Sequence, residues 1–137
     1  MLWSGLIFLL STDMFGGGQT GRILLPLLRL LLPGVSEPAL LSLHALIRKV
    51  AHFGEYLVLG ILLFRALHTT SRTIVQTVAA VIVLAALHAA VDELHQSFVP
   101  GRTAAVADCL IDVTGAAAGL AITLAWAAIR RPAPSAA

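Results

Sequence analysis

The chain has 137 residues, of which 58% are hydrophobic and only 12% are charged. A typical soluble domain carries about 25% charged residues, and a small soluble body needs polar side chains to cover its surface. The composition therefore argues against a soluble or disordered chain, and a net charge of +2 is too small for a nucleic-acid-binding footprint. A lone Cys109 excludes an internal disulfide and a C-x-x-C metal site, and is expected to be a small buried residue. We expect a single membrane domain over residues 1–137.

The first two apolar segments are short for membrane spans, which need about 20 mostly apolar residues. Leu2 to Leu10 is followed by Ser11-Thr12-Asp13 and has neither a basic n-region nor an A-x-A cleavage site, so it predicts a shortened, uncleaved first helix. Residues 20–34, TGRILLPLLRLLLPG, are interrupted by Pro26 and Arg29. Their length is typical of an interfacial or re-entrant segment.

The next helix is predicted to start at Ser36-Glu37-Pro38, which combines a potential N-cap, an acid in the first turn and an early proline. Its pattern continues to about Leu67. To cross a bilayer, its membrane segment must extend from about Arg48 to Arg65 or slightly beyond, roughly 30 Å at about 1.5 Å per residue. His52 and Glu55 then lie about one and two turns below the membrane surface.

The clearest span runs from Val75 to Val91, and another is expected from about Val106 to Ile129. Between them, Pro100-Gly101 suits the central positions of a type II turn, and Thr103 is a plausible N-cap. The predicted fold is an all-α integral membrane bundle of about four helices, the first one short, with the additional segment near residues 20–34.

Polar residues in these helices recur at spacings that place side chains on one helix face. The three resulting stripes are Arg48, His52 and Glu55; His88, Asp92 and His95 or Gln96; and Asp108 and Asp112. An ionisable residue costs about 2.5–3.5 kcal/mol at the bilayer centre, less near the surface, and is normally turned inward and paired. The stripes therefore predict a polar cavity that opens at one membrane surface, here called the motif face.

Each part of this pattern has a structural alternative. Arg48 and Lys49 could extend to the interface as ordinary snorkelling residues, and Asp92 and Glu93 could mark a helix end. His88 could be an interior hydrogen-bonded histidine. The remaining alternatives are a structural ion pair of Asp108 or Asp112 with Arg102 or Arg48, and a close-packing seam at Gly115-x-x-x-Gly119.

The distribution of basic residues indicates the orientation in the membrane. Arg48, Lys49 and Arg102 lie within the suspected site, and without them the motif face has fewer cations than the opposite face. The positive-inside rule then places the motif face outside and both termini in the cytoplasm.

Three strings of residues carry a family resemblance. They are K-x-x-H-F-x-x-Y at residues 49–56, D-E-x-H-Q-x-F-x-P-G-R at 92–102 and D-x-x-x-D-x-x-G at 108–115. Together with F-L-L-S-T at residues 8–12, they resemble the VanZ-like family over roughly residues 6–125. The family pattern has Asn where this chain has Asp112. The resemblance implies a bacterial multi-pass protein of the cytoplasmic membrane, and the founding member is associated with low-level resistance to teicoplanin-type glycopeptides.

Three functions are compatible with these residues. The first is binding of an anionic lipid, or of a lipid-linked cell-wall precursor, through its phosphate head group, since arginine forks suit phosphate oxygens. The second is a membrane hydrolase or transferase that acts on a phospholipid or a polyprenyl-phosphate carrier. The third is a proton-coupled carrier in which Glu55 and Asp112 titrate.

The candidate residues fall into two groups by expected role. The catalytic candidates are His52, Glu55, Asp92, Glu93 and His95. The substrate-binding candidates are Arg48, Lys49, Tyr56, His88, Gln96, Arg102, Asp108 and Asp112. His52, His95 and the acids could bind a divalent metal, but no H-E-x-x-H or equivalent spacing supports one, so we predict neither a metal nor another cofactor. The expected partner is a membrane lipid or lipid-linked precursor and not a nucleic acid.

Overall fold

The computed structural model describes residues 2–12, 17–68, 72–98 and 106–130. These ranges form five α-helices: α1 (Leu2–Leu10), α2 (Gly17–Leu31), α3 (Glu37–Leu67), α4 (Ile74–Ser97) and α5 (Val106–Ile129). The all-α prediction is confirmed, with α1 as the short first helix and α2 in the segment near residues 20–34. Within the described ranges, α3, α4 and α5 are long and apolar enough to cross a membrane.

The starts of α3 and α4 follow from local sequence. Ser36 occupies the N-cap of α3 with extended backbone and Pro38 lies in the first turn, but the Ser36 side chain makes no capping hydrogen bond. At the start of α4, Thr73 and Gln76 form a reciprocal capping box, in which each side chain accepts from the other residue's backbone N–H. The capping box satisfies backbone donors that would otherwise be left at the helix end, and Pro38 removes one such donor from the first turn of α3 because proline has no N–H.

The interface between α3 and α5 depends on glycine. A Cβ atom at Gly60 would lie 2.2 Å from the Ala116 carbonyl oxygen, and one at Gly119 would lie 2.0 Å from the Leu57 carbonyl oxygen. A Cβ at Gly115 would approach the Phe53 carbonyl oxygen to 2.4 Å. The two backbones therefore touch directly, and the predicted close-packing seam at Gly115-x-x-x-Gly119 is confirmed.

The core between α3, α4 and α5 changes character along the bundle. Phe64, Val81 and Leu120 pack together where α3 ends and α4 begins, and they are here called the apolar end. A middle layer of buried side chains comprises Ile7, Tyr56, Leu59, Ala85, Ala89 and Ala116. Beyond it, where α4 ends and α5 begins, the buried side chains are mostly polar. The polar groups are thus concentrated at one end of the bundle.

The helix α2 pairs with the first part of α3, which extends before the predicted membrane segment. Arg29 and Glu37 form an exposed two-point ion pair, and Thr20 lies 3.3 Å from the ring of the buried His44. The hydrogen bond and charge of Glu37 raise the pKa of the Arg29 guanidinium above its ordinary value. These contacts hold α2 along α3. The interfacial or re-entrant position predicted for α2 stays a prediction.

Candidate functional site

Polar side chains from four helices meet at the end of the bundle where α4 finishes and α5 starts. This group is called the polar end, and its described members are Ser11, His52, Glu55, Tyr56, His88, Asp92, Glu93, His95, Gln96 and Asp112. Glu55 lies seven residues after Arg48, or about 10 Å along the helix axis. The polar end therefore lies at a depth compatible with the head-group side of a bilayer.

His52 and two acids form the centre of the polar end. The His52 Nδ1 atom lies 3.9 Å from a carboxylate oxygen of Glu55, one turn further along α3, and 3.8 Å from Oδ1 of Asp112 on α5. His52 and Glu55 keep about a fifth of their side-chain surface exposed, at 21% and 18%, whereas the Asp112 side chain is 3% exposed. The His52 side chain is thus partly exposed at the surface of the bundle and lies beside two carboxylates within it.

Asp92 is fixed by hydrogen bonds from Ser11, which follows α1, and from Gln96, one turn further along α4. Its Oδ2 atom accepts from the Ser11 hydroxyl at 2.7 Å and from the Gln96 amide at 2.8 Å. Asp92 and Ser11 are fully buried, and Gln96 is nearly so. Both hydrogen bonds go to Oδ2. The other carboxylate oxygen of Asp92, Oδ1, is buried and accepts no hydrogen bond from the described residues.

A deeper layer joins the polar end to the apolar core. The fully buried Tyr56 places its hydroxyl 3.0 Å from Nδ1 of His88, within hydrogen-bond distance. The ring of Phe8 packs edge-on against His88 and lies 5.2 Å from the ring of His95. His88 is therefore a hydrogen-bonded interior histidine, as one of the sequence-based alternatives proposed.

The outer rim of the polar end carries one ion pair. Lys49 Nζ lies 3.6 Å from Asp108 Oδ1, and both side chains are about half exposed. The sequence-based alternative paired Asp108 with Arg48 or Arg102, and the structure instead gives it Lys49. In the described ranges no ion pair involves Arg48, while Arg102 and the turn at 99–103 lie outside them.

Two alternatives from the sequence are corrected by the course of α4. The helix continues to Ser97, so Asp92 and Glu93 lie inside it and do not mark its end. Both are buried, at 0% and 9% exposure. The span predicted from Val75 to Val91 is therefore part of a longer helix, whose last residues include the buried Asp92, Glu93 and Gln96.

The sequence did not identify the contribution of α1 to the site. Besides Ser11, the indole of Trp3 donates a hydrogen bond to the backbone carbonyl of Glu55 at 2.9 Å. Cys109, predicted to be buried, is partly buried and its thiol lies 3.5 Å from the Ala89 carbonyl oxygen. The sequence signals for Ser11 were its place after a short apolar run and its place in the F-L-L-S-T string of the family resemblance.

The polar end offers two kinds of chemistry. A histidine between carboxylates can accept and hold a proton, as a general base does. One ligand atom each from His52, Asp92 and Asp112 also lies within 4.8 Å of the other two, which is close enough for a common cation. The predicted cavity itself stays a prediction, because residues 99–105 are outside the described ranges.

Comparison with known proteins agrees with the resemblance in the sequence. The model of the VanZ/LLP1 family matches residues 1–127. Neither the curated proteins nor the solved structures contain a match to the chain. The chain belongs to the VanZ/LLP1 family and is a multi-pass membrane protein of that family.

Proposed function

We propose that this VanZ/LLP1 family member is a membrane hydrolase or transferase that acts on the phosphate-bearing head group of a membrane lipid or a lipid-linked cell-wall precursor. The observation that carries the proposal is the position of His52 beside the carboxylates of Glu55 and Asp112, at 3.9 and 3.8 Å. A carboxylate beside a histidine orients the ring and stabilises its protonated form. The partly exposed His52 is therefore suited to take a proton from water or from an attacking hydroxyl.

The described part of the polar end is rich in carboxylates. Its described members include four carboxylates, those of Glu55, Asp92, Glu93 and Asp112. Lys49, the single lysine of the sequence, lies at the rim. A phosphate group held by charge alone would be repelled by such a cluster. The observation that separates the enzymatic hypothesis from capture of the head group alone is therefore the acid–base pairing of His52 with Glu55 and Asp112.

The gradient of exposure supports a lipid as the substrate. Lys49 and Asp108 are about half exposed, His52 and Glu55 about a fifth, and Asp92 and Asp112 are buried. This order leads from the head-group region inward between the helices. Many apolar side chains point outward along the same helices, including Val50, Leu94 and Leu110, where acyl chains would lie. In this arrangement Lys49 would meet the phosphate first.

The proposed cellular setting rests on the family resemblance and on the distribution of basic residues. We place the chain in the bacterial cytoplasmic membrane with the motif face outside and infer a role in susceptibility to teicoplanin-type glycopeptides. Ser97 is exposed at the end of α4 and suits a labelling site. In a Cys109→Ser background, Ser97→Cys should react with an impermeant thiol reagent in intact cells. Labelling only after lysis would reverse the orientation.

Turnover on lipids tests the proposed reaction. The purified chain in lipid nanodiscs would be incubated with bacterial lipid extracts, and head-group products would be followed by phosphorus NMR and mass spectrometry. His52→Gln should reduce turnover by about 100-fold or more, as expected for loss of a general base, and Glu55→Ala and His95→Ala should abolish it. The matched control is His68→Gln, because His68 is exposed at the far end of the same helix.

Two results would contradict the proposal. One is full turnover by a well-folded His52→Gln protein. The other is saturable binding of the lipid head group by wild type without any product, which would restore the binding hypothesis.

A further inference from the structure

We propose that His52, Asp92 and Asp112 form a site for one divalent transition-metal ion. The three residues come from α3, α4 and α5, and one ligand atom of each lies within 4.8 Å of the other two. Ligand atoms around one ion with bonds of about 2.1 Å lie about 3 to 4 Å apart. Small rotations of the three side chains are therefore sufficient to bring them onto a common ion.

Two buried oxygens point independently to a ligand. Within the described ranges, Oδ1 of Asp92 and Oδ1 of Asp112 are buried and have no hydrogen-bond partner. The residues themselves are 0% and 2% exposed. A buried carboxylate oxygen without a donor or a cation is costly, and two of them in one cluster indicate that a positive charge belongs between them.

The surroundings of Asp92 match those of a supported metal ligand. The Ser11 hydroxyl and the Gln96 amide both donate to Oδ2, which orients the carboxylate and leaves Oδ1 for coordination. Metal-ligating carboxylates are themselves commonly hydrogen-bonded in this way, and such partners fix the ligand geometry. Ser11, which directly follows α1, is therefore a positioning residue of the site.

The donor set selects a class of ion. One imidazole nitrogen with two carboxylates suits Mn²⁺, Fe²⁺ or Zn²⁺, whereas Mg²⁺ and Ca²⁺ prefer all-oxygen sites. The sequence analysis named His52 and the acids as possible ligands but predicted no metal, because a site built from three separate helices leaves no short ligand spacing to recognise. The site is inferred from geometry alone and does not depend on the proposed reaction.

Metal binding by the purified chain tests the inference directly. The full chain in detergent would be stripped with a chelator, and Mn²⁺ binding would be measured by electron paramagnetic resonance together with the thermal midpoint. Wild type should bind about one Mn²⁺ per chain and gain thermal stability on binding, as any ligand of the folded state confers. Asp112→Asn and His52→Gln should each weaken Mn²⁺ binding by about tenfold or more.

Asp108→Asn is the matched control. Asp108 lies one turn before Asp112 on α5 and belongs to the rim, where it pairs with Lys49. This variant should bind Mn²⁺ like wild type. A wild-type chain that binds neither Mn²⁺ nor Zn²⁺, or an equal loss of binding in Asp108→Asn and Asp112→Asn, would overturn the inference.

The metal site and the proposed reaction can fail separately. Stoichiometric Mn²⁺ binding without lipid turnover supports the site and refutes the reaction. Lipid turnover that is unchanged after chelation, in a chain that binds no Mn²⁺ or Zn²⁺, supports the reaction and refutes the site.

Discussion

The two ends of the same three-helix bundle bury opposite kinds of side chain. At the apolar end, Phe64, Val81 and Leu120 fill the space between α3, α4 and α5 with hydrocarbon. At the polar end, the same helices bury Asp92 and Asp112, each with a carboxylate oxygen that accepts no hydrogen bond from the described residues. One end follows the rules of membrane packing, and the other departs from them.

The difference shows what each end contributes. Packing contacts at the apolar end stabilise the bundle, whereas ionisable groups within a membrane carry a cost of about 2.5–3.5 kcal/mol each on insertion scales, less near the surface. A costly cluster is retained when it serves binding or chemistry. We therefore expect substitutions at the apolar end to affect stability and those at the polar end to affect activity.

The largest effect is expected at the glycine seam that supports both ends. Gly119→Val should prevent accumulation of folded protein, because even its Cβ would lie 2.0 Å from the Leu57 carbonyl oxygen and backbone cannot move aside cheaply. The matched control is Gly54→Ala on α3, where an added Cβ meets nothing within 4 Å. Yield and monodispersity in detergent measure both. Normal yield of Gly119→Val would contradict the close α3–α5 packing.

A truncation at the apolar end comes next. Leu120→Ala should destabilise the folded protein by about 2 kcal/mol, because it removes packing contacts and leaves a cavity beside Phe64 and Val81. Lipid turnover at a permissive temperature should stay near wild type. Thermal unfolding and the turnover assay check the two parts, and loss of turnover in a fully folded sample would show that the two ends are not separable.

A smaller effect is expected where α1 meets the polar end. Ser11→Ala removes the hydroxyl that donates to Asp92 Oδ2 but leaves the Gln96 donor in place. The loss should be about 1 kcal/mol of stability, with a weaker Mn²⁺ affinity. A matched variant, Ser42→Ala, removes a hydroxyl that only bonds the Pro38 carbonyl on an exposed turn. Equal Mn²⁺ affinity in both variants would show that Ser11 does not position a ligand of the site.

The smallest effect is expected at the exposed ion pair between α2 and α3. Arg29→Gln breaks the pair with Glu37, but exposed pairs contribute little because water and salt screen them. Thermal unfolding and Mn²⁺ binding should both match wild type. A clear loss of either would mean that α2 supports the polar end more strongly than its contacts indicate.

Much of the fold was readable from the sequence because its signals are local. The helix α5, predicted from about Val106 to Ile129, has those bounds, and α3 ends at Leu67 as expected. The hydropathy pattern ended the apolar span at Val91, whereas the polar stripe of His88, Asp92 and His95 already required the helix to continue. The burial of Asp92 beyond that span includes a tertiary contact with Ser11, which a hydropathy pattern does not reveal.

The sequence predicted three polar stripes and, from the cost of ionisable groups in a membrane, that the stripes turn inward toward one cavity, but it did not predict which side chains meet. Spacing placed His52 and Glu55 on one face of one helix, but no periodicity reports which helices are neighbours. The convergence of His52 with Asp92 and Asp112 depends on the glycine seam, which brings α5 onto α3. The role of Ser11 also depends on tertiary contact, because a nine-residue helix carries too little pattern to fix its partner.

The most direct test of the contrast is the stability and activity of Asp112→Asn in chelator-treated protein. Neutralising a buried carboxylate that lies among other acids should leave the thermal midpoint unchanged or raise it, because burial of its charge and repulsion are both relieved. Lipid turnover of the same protein, assayed with Mn²⁺ restored, should be lost. A lower thermal midpoint with turnover unchanged would contradict the assignment of the polar end as the functional site.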